Sequence, residues 1–173
     1  GGGSHTLSEV VQAGWQATSP AGGSYALTVI SKGLVGTGDV VKDFGNFKNI
    51  SISGMKFRDR NANGVKDAGD NGLSGWTISS TIGGTKVTGV NGEYSYTDLG
   101  PGTYVVTEVN QLGWTPTAPA GGNHTIVASS GTDAVDRDFG NYQDGDNTLY
   151  RTWTMAELGA ATEAKPGKSK GLG

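Results

Sequence analysis

Glu93-Tyr94-Ser95-Tyr96-Thr97 and, beyond Leu99-Gly100-Pro101-Gly102, Thr103-Tyr104-Val105-Val106-Thr107-Glu108-Val109 decide how this 173-residue chain is read. Successive side chains of a β-strand point to opposite faces, so Tyr94 and Tyr96 share one face, and Tyr104, Val106 and the polar Glu108 share another. The Gly-Pro-Gly segment between the two runs is a tight-turn signal. The same texture extends outward. Threonine (19 residues) is the commonest residue after glycine, valine follows at 14, level with serine and alanine, and β-branched and aromatic residues suit a pleated, half-buried surface. The 31 glycines break the chain into short segments, the rhythm of strands in a sandwich or barrel. Thr154 to Ala164 is the one stretch with a helical pattern, and Gly159 weakens it. The chain reads as all-β.

Charge narrows the function. Acidic and basic residues nearly balance, 16 against 13, for a net charge of −3. A nucleic-acid binder needs a basic patch to neutralise phosphates. The tail Lys165-Pro166-Gly167-Lys168-Ser169-Lys170 is too short to supply one and reads as a solvated end. Apolar runs are far shorter than the ~18 residues of a membrane span, so no membrane insertion is expected. The chain opens Gly-Gly-Gly-Ser, so any export signal is expected to have been removed. Cysteine is absent, and stability beyond the core must come from metal, assembly or length. His5 and His124 sit in polar, glycine-flanked surroundings and are expected at the surface. An enzyme is not expected.

An internal repeat organises the chain. Ser8-Glu9-Val10-Val11-Gln12-Ala13-Gly14-Trp15 recurs as Thr107-Glu108-Val109-Asn110-Gln111-Leu112-Gly113-Trp114. Thr18-Ser19-Pro20-Ala21-Gly22-Gly23 returns as Thr117-Ala118-Pro119-Ala120-Gly121-Gly122, and both copies close on Asp-Phe-Gly-Asn-aromatic, at Asp43 to Phe47 and Asp138 to Tyr142. The first copy matches only the back half of the second. The expectation is an incomplete sandwich unit over residues 1–48, a complete one over 49–143, and an extension over 144–173. A half-sandwich leaves strand edges and an apolar face uncovered. Either a boundary truncates the domain, or strands from another chain complete it. Leu149, Trp153 and Met155 lie on one side of an extended segment and form the candidate donor strand, with Gly1 to Leu7 as the other candidate.

The strongest chemical motif is Asp59-Arg60-Asn61-Ala62-Asn63-Gly64-Val65-Lys66-Asp67-Ala68-Gly69-Asp70. Oxygen-bearing side chains occupy loop positions 1, 3, 5, 9 and 12, with glycine at 6, the spacing of an EF-hand-type calcium loop. A hard Ca²⁺ seeks six to eight oxygens, and alternate residues of a coiled loop point inward. The ligand set is Asp59, Asn61, Asn63, the Val65 carbonyl, Asp67 and Asp70. The competing reading is a plain Asn/Gly turn. Asp144-Gly145-Asp146-Asn147 reads as a solvated turn.

Ser53 to Asp59, the loop, and Asn71-Gly72-Leu73-Ser74-Gly75-Trp76-Thr77-Ile78 resemble the opening of the B-repeat domains of serine-aspartate-repeat surface proteins. Tyr104 to Trp114 and Asp138 to Tyr142 resemble the later landmarks of that family. The resemblance implies a calcium-stabilised, immunoglobulin-like or prealbumin-like sandwich, extracellular or at the cell surface, used as a stalk or surface module. A related family, the collagen-adhesin B-type pilin domains, carries a Lys–Asn isopeptide bond promoted by a buried Glu. Tyr104 to Trp114 resembles its Glu segment, and Asn141 stands where its Asn does. The residue two before Asp59 is Phe57, however, and Lys56 is expected to point to the opposite face while Phe57 packs the core. No such bond is expected, and Glu108 is placed in a hydrogen bond or at a sheet rim.

Trp15, Trp76 and Trp114 read as core or sheet-face residues, with stacking on sugars as the alternative. Asn49 and Asn123 head sequons and are possible glycosylation sites. The functional expectation is a structural subunit of an extracellular filament, assembled head-to-tail from copies of itself by strand complementation and stabilised by Ca²⁺. The alternative is a stalk or ligand-binding module of a larger cell-surface adhesin, with glycans as possible contacts.

Overall fold

The computed structural model describes residues 2–30, 33–34 and 41–145. Its strands in chain order are β1 (Gly3–Ser8), β2 (Trp15–Ser19), β3 (Ser24–Ile30), β4 (Gly33–Leu34), β5 (Gly45–Lys48), β6 (Ile50–Arg58) and β7 (Thr77–Ser80). They continue with β8 (Gly84–Val87), β9 (Glu93–Leu99), β10 (Thr103–Glu108), β11 (Trp114–Ala118), β12 (Asn123–Val127) and β13 (Phe139–Gln143). No helix occurs among the described residues. The helical expectation at 154–164, the donor candidates Leu149, Trp153 and Met155, and most of the 144–173 extension lie outside them.

Two four-stranded sheets, β12-β10-β7-β8 and β11-β13-β6-β9, enclose the core. One sheet contributes Ile78, Tyr104, Val106 and Ile126, and the other Ile50, Ile52, Tyr94, Tyr96 and Phe139. Burying each large apolar side chain contributes roughly 1.5–3 kcal/mol. The alternation read from the sequence holds, with Tyr94 and Tyr96 buried and Glu93, Ser95 and Thr97 exposed. Its phase then slips. Asp98 adopts φ 59°, the register jumps between Ile50 and Ile52 of the facing strand, and Leu99 returns to the core. Asn49 Nδ2 secures this bulge by donating to Asp98 Oδ1 at 2.6 Å.

The Gly-Pro-Gly turn does not join hydrogen-bonded neighbours. β9 and β10 belong to opposite sheets, so the turn carries the chain across the sandwich. Tyr104 braces it by donating its hydroxyl to the Gly100 carbonyl at 2.9 Å. Gly54 on β6 is required by close approach, because a Cβ there would lie 2.3 Å from the Arg137 carbonyl oxygen.

The sequence repeat is also a structural repeat. Trp15 pairs with Lys48 and Ser19 with Gly45, with a bulge between Ala17 and Ser19. The second copy repeats this as Trp114 with Gln143 and Ala118 with Gly140, with a bulge between Pro116 and Ala118. Ser8 pairs with Ser24 as Thr107 pairs with Asn123. Both copies also carry a cis proline, at Pro20 and Pro119. The two differ in their flanks. β13 lies between β11 and β6, and β10 lies between β12 and β7. Their counterparts β5 and β1 have a described strand on one side only, and every residue of β1 and β2 is exposed.

Candidate functional site

β6 runs out of the sandwich directly into the acidic loop. Asp59, the first loop residue, is fully buried, and its backbone N–H donates to the Asn141 carbonyl at 2.9 Å. Its carboxylate then organises the turn, with Oδ2 accepting from Gly64 N–H at 2.7 Å and Oδ1 from Asn63 N–H at 3.2 Å. Gly64 takes the left-handed φ of 76° that position 6 demands. Asn61 and Asn63 both donate their amides to Asp67 Oδ2, at 2.8 and 2.9 Å. Asp70 turns onto the backbone, accepting from Arg60 N–H at 3.3 Å and Asp67 N–H at 3.0 Å.

The loop therefore gathers Asp59, Asn61, Asn63 and Asp67 around one interior, with Asp70 clasping its two ends. Among the described residues no three His, Cys, Asp or Glu side chains cluster as a metal centre by themselves. A cation here would rely on Asn and carbonyl oxygens beside the carboxylates. That all-oxygen donor set fits a hard ion such as Ca²⁺. An asparagine amide presents its oxygen instead of its nitrogen by rotation about one bond.

The second cluster was not expected. Lys56 is fully buried, and its Nζ lies 2.5 Å from Glu108 Oε2, whose side chain is 3% exposed. The contact is a short, buried ion pair. Nζ also lies 4.4 Å from the centroid of Trp76, which meets Trp114 edge-on at 5.5 Å. Burial pushes the Lys56 amine down to about 8, against the opposing pull of Glu108. Asn141 is fully buried too, and among the described residues neither its Nδ2 nor its Oδ1 has a hydrogen-bond partner.

The expectation that Lys56 faces away from the core is thus overturned, as is a rim position for Glu108. Both were legible in the period of two. Lys56 stands in phase with Ile50 and Ile52, and Glu108 in phase with Tyr104 and Val106. Phe57 is buried on the opposite face, where its ring covers Gly140: a Cβ there would sit 2.5 Å from Phe57 Cζ. In the parallel ladder of β6 and β13, Phe139 pairs with Lys56 and Asn141 with Arg58. Lys56, Phe139 and Asn141 therefore share the core face.

The first unit holds the same acid and amide. Glu9 and Asn46 are the counterparts of Glu108 and Asn141, and Asn46 Nδ2 donates to Glu9 Oε2 at 2.8 Å. Glu9, Trp15 and Asn46, with Val10, Val11 and Gln12, line an open groove of about 240 Å³. No lysine lines it.

Other expectations fall as follows. Trp76 is buried, Trp114 half-buried, and Trp15 39% exposed. His5 is exposed, but His124 is half-buried, with Nε2 2.8 Å from the Asp138 carbonyl and its ring edge-on to Phe139. Asn123 is exposed at the start of β12, whereas the Asn49 amide is engaged with Asp98. Asp144 caps the second copy, donating its N–H to the Gly113 carbonyl and accepting from Thr115 Oγ1. No helix among the described residues is long and apolar enough to cross a membrane.

The family model of the SdrD B-like domain matches residues 50–151. Serine-aspartate repeat-containing protein D of Staphylococcus aureus strain Newman is 36% identical over 118 residues, covering 64% of this chain and 9% of that protein. Serine-aspartate repeat-containing protein C of strain MRSA252 is 32% identical over 115 residues, covering 62% of this chain and 13% of that protein. The chain thus spans only a small part of these relatives. Among solved structures, a minor pilin of Streptococcus agalactiae aligns at 12% identity with a TM-score of 0.42, covering 69% of this chain and 59% of the pilin. A group B streptococcus pilus 2b backbone protein aligns at 11% identity and a TM-score of 0.41, covering 82% and 54%. With residues 50–151 matched and the all-β sandwich in place, the chain belongs to the SdrD B-like domain family, structural domains of cell-surface proteins rather than enzymes.

Proposed function

We propose that this chain is a structural module of an extracellular stalk or filament, stiffened by Ca²⁺ in the Asp59–Asp70 loop and continued by β-strands passed between modules. The observation that carries the reading is the unequal flanking of two equivalent units. β13 and β10 are covered by β6 and β7, whereas β5 and β1 present a free side among the described strands. Strands equivalent to β6 and β7, supplied by a neighbouring module, would satisfy the open ladders and cover the exposed faces. If the neighbour is a second copy of the chain, the contact is head-to-tail and does not close on itself, so it propagates as a fibre. Calcium at the base of β6 would hold that strand and β13 together, because Asp59 bonds the backbone of Asn141.

Negative-stain microscopy and light scattering of the purified chain in calcium test this reading. Fibres, lost when residues 1–48 are deleted, support strand passage between copies. Particles of single-chain mass at every concentration overturn assembly between copies and leave a stalk module. A melting temperature identical in calcium and in excess chelator overturns the calcium part.

A further inference from the structure

We propose that the groove of the first unit receives residues 148–155 of a second copy of this chain, with Arg151 seated between Glu9 and Trp15. The inference rests on the strand-passage reading above. It names the strand that is passed and the group that selects it.

The groove lacks a cation. Glu9 commits Oε2 to the Asn46 amide at 2.8 Å, while Oε1 is shut off from water and, among the described residues, has no hydrogen-bond partner. An unmatched charged acceptor is more costly than a neutral one. The second unit shows what such an acid takes. Glu108, the counterpart of Glu9, receives the Lys56 ammonium at 2.5 Å, with the Trp76 ring centred 4.4 Å from Nζ. Beside Glu9 the groove presents apolar side chains to solvent: Val10 is 94% exposed, Val11 42% and Trp15 39%. Large apolar side chains gathered in one open patch mark a surface that a partner covers. The fitting occupant is apolar on one side and carries a single cation there.

Residues 148–155 have that composition. At a period of two, Leu149, Arg151, Trp153 and Met155 fall on one side, and Tyr150, Thr152 and Thr154 on the other. Threonine and aromatic residues favour an extended strand. Arg151 is the one break in the apolar side, and Glu9 is the one acid among the described residues that line the groove. A guanidinium can lie flat on the Trp15 ring while one N–H reaches Oε1, and the apolar neighbours cover Val10 and Val11. The strand adds along the free side of β5, where main-chain pairing supplies affinity and Arg151 fixes the register.

Reach assigns the donor to another copy. β13 runs parallel to β6 with Asn141 opposite Arg58, so the chain leaves the second unit at the Arg58 end. The two units touch at the opposite end, where Asn49 N–H donates to the Gly14 carbonyl and Lys48 N–H to Ser130 Oγ. The nine residues of β6 separate these ends by roughly 30 Å. The six residues from Gly145 to Arg151 span at most about 21 Å. Insertion into the chain's own groove falls short. The second unit is no rival acceptor, because Lys56 already fills Glu108. Each chain thus offers one acceptor and one donor, the valence of an unbranched head-to-tail fibre.

Charge reversal in the full chain, read by light scattering and negative-stain microscopy, is the test. Arg151→Glu and Glu9→Arg should each raise the concentration needed for fibres by roughly 30-fold or more, the least that breaking a buried charge pair costs. Circular dichroism checks the fold of both, and Arg151→Glu suffices should Glu9→Arg not fold. Mixing the two variants in equal amounts should restore fibres, because the donor of each then meets an acceptor of opposite charge on the other. Fibres that form as readily in Arg151→Glu as in the natural chain overturn the proposal and leave strand passage standing with another donor. A peptide of residues 50–58 that blocks fibres, where one of residues 148–155 does not, gives the groove to a strand like β6 and overturns it too. A natural chain of single-chain mass at every concentration overturns it together with assembly between copies.

Discussion

The buried amine of Lys56, paired with Glu108, gives stability a pH dependence of defined sign. Burial holds this amine at about 8 in the fold against 10.5 for an ordinary lysine. Below pH 8 both folded and unfolded chains carry its proton, and the cost of burying the charge is borne in full. Between about 8 and 10.5 only the unfolded chain keeps the proton. Stability rises with pH wherever the unfolded state binds more protons. At ~1.4 kcal/mol per pH unit the whole window is worth about 3 kcal/mol, a large share of the ~5–15 kcal/mol that holds a domain together.

Tyr94, Tyr96 and Tyr104 act in the opposite sense. Burial raises all three above the ordinary 10.0, so from about that pH the fold keeps protons that the unfolded chain releases, and stability falls. Urea unfolding followed by tryptophan fluorescence should therefore show the chain growing more stable from pH 8 to about 10 and weakening above. Lys56→Met should lose the rise and keep the fall. A profile for the natural chain that is flat or falls from pH 8 to 10 refutes a buried amine held down at Lys56.

Chelating calcium should lower the stability of the second unit by ~2.7 kcal/mol when the ion was present at a hundredfold excess over its Kd. Asp59→Ala should abolish that difference, as read by calorimetry with and without EDTA. Gly54→Ala should cost roughly 1–3 kcal/mol, because its Cβ would lie 2.3 Å from the Arg137 carbonyl and a backbone must move. Ile78→Ala, at a fully buried position, should cost about 2–5 kcal/mol in denaturant melts. Leu112→Ala, at a fully exposed one, should stay within about 0.5 kcal/mol.

Most of the fold was legible in the chain. Alternation in β9 and β10 assigned their faces, because a period of two admits only two phases and one must be apolar. The repeat landmarks carried their pairing with them, down to the bulge and the cis proline after β2 and β11. That Asp59, Asn61, Asn63 and Asp67 turn toward one loop interior was readable from spacing alone, since alternate inward side chains need no distant partner. Two local surprises came from bulges and crossings. A left-handed Asp98 shifted the phase for Leu99, and the Gly-Pro-Gly turn crossed between sheets instead of closing a hairpin.

The buried cluster was misjudged for a different reason. Counting back from Asp59 placed Phe57 in the core, whereas counting forward from Ile52 places Lys56 there. Both residues are buried, on opposite faces of β6.

By itself, then, the sequence determined the all-β class, the repeat and the composition of the acidic loop. These follow from side-chain period, turn chemistry and local spacing, each expressed within a few residues. Only the tertiary structure decided that Lys56 meets Glu108 across the sandwich and that Asn141 is buried on the same face as Lys56. They belong to three strands in two sheets, brought together by a parallel pairing of the first strand of the unit with its last. Such a pairing leaves no mark on local sequence, because the hydrogen bonds that make it are backbone bonds and the burial that enforces it is shared by the whole core.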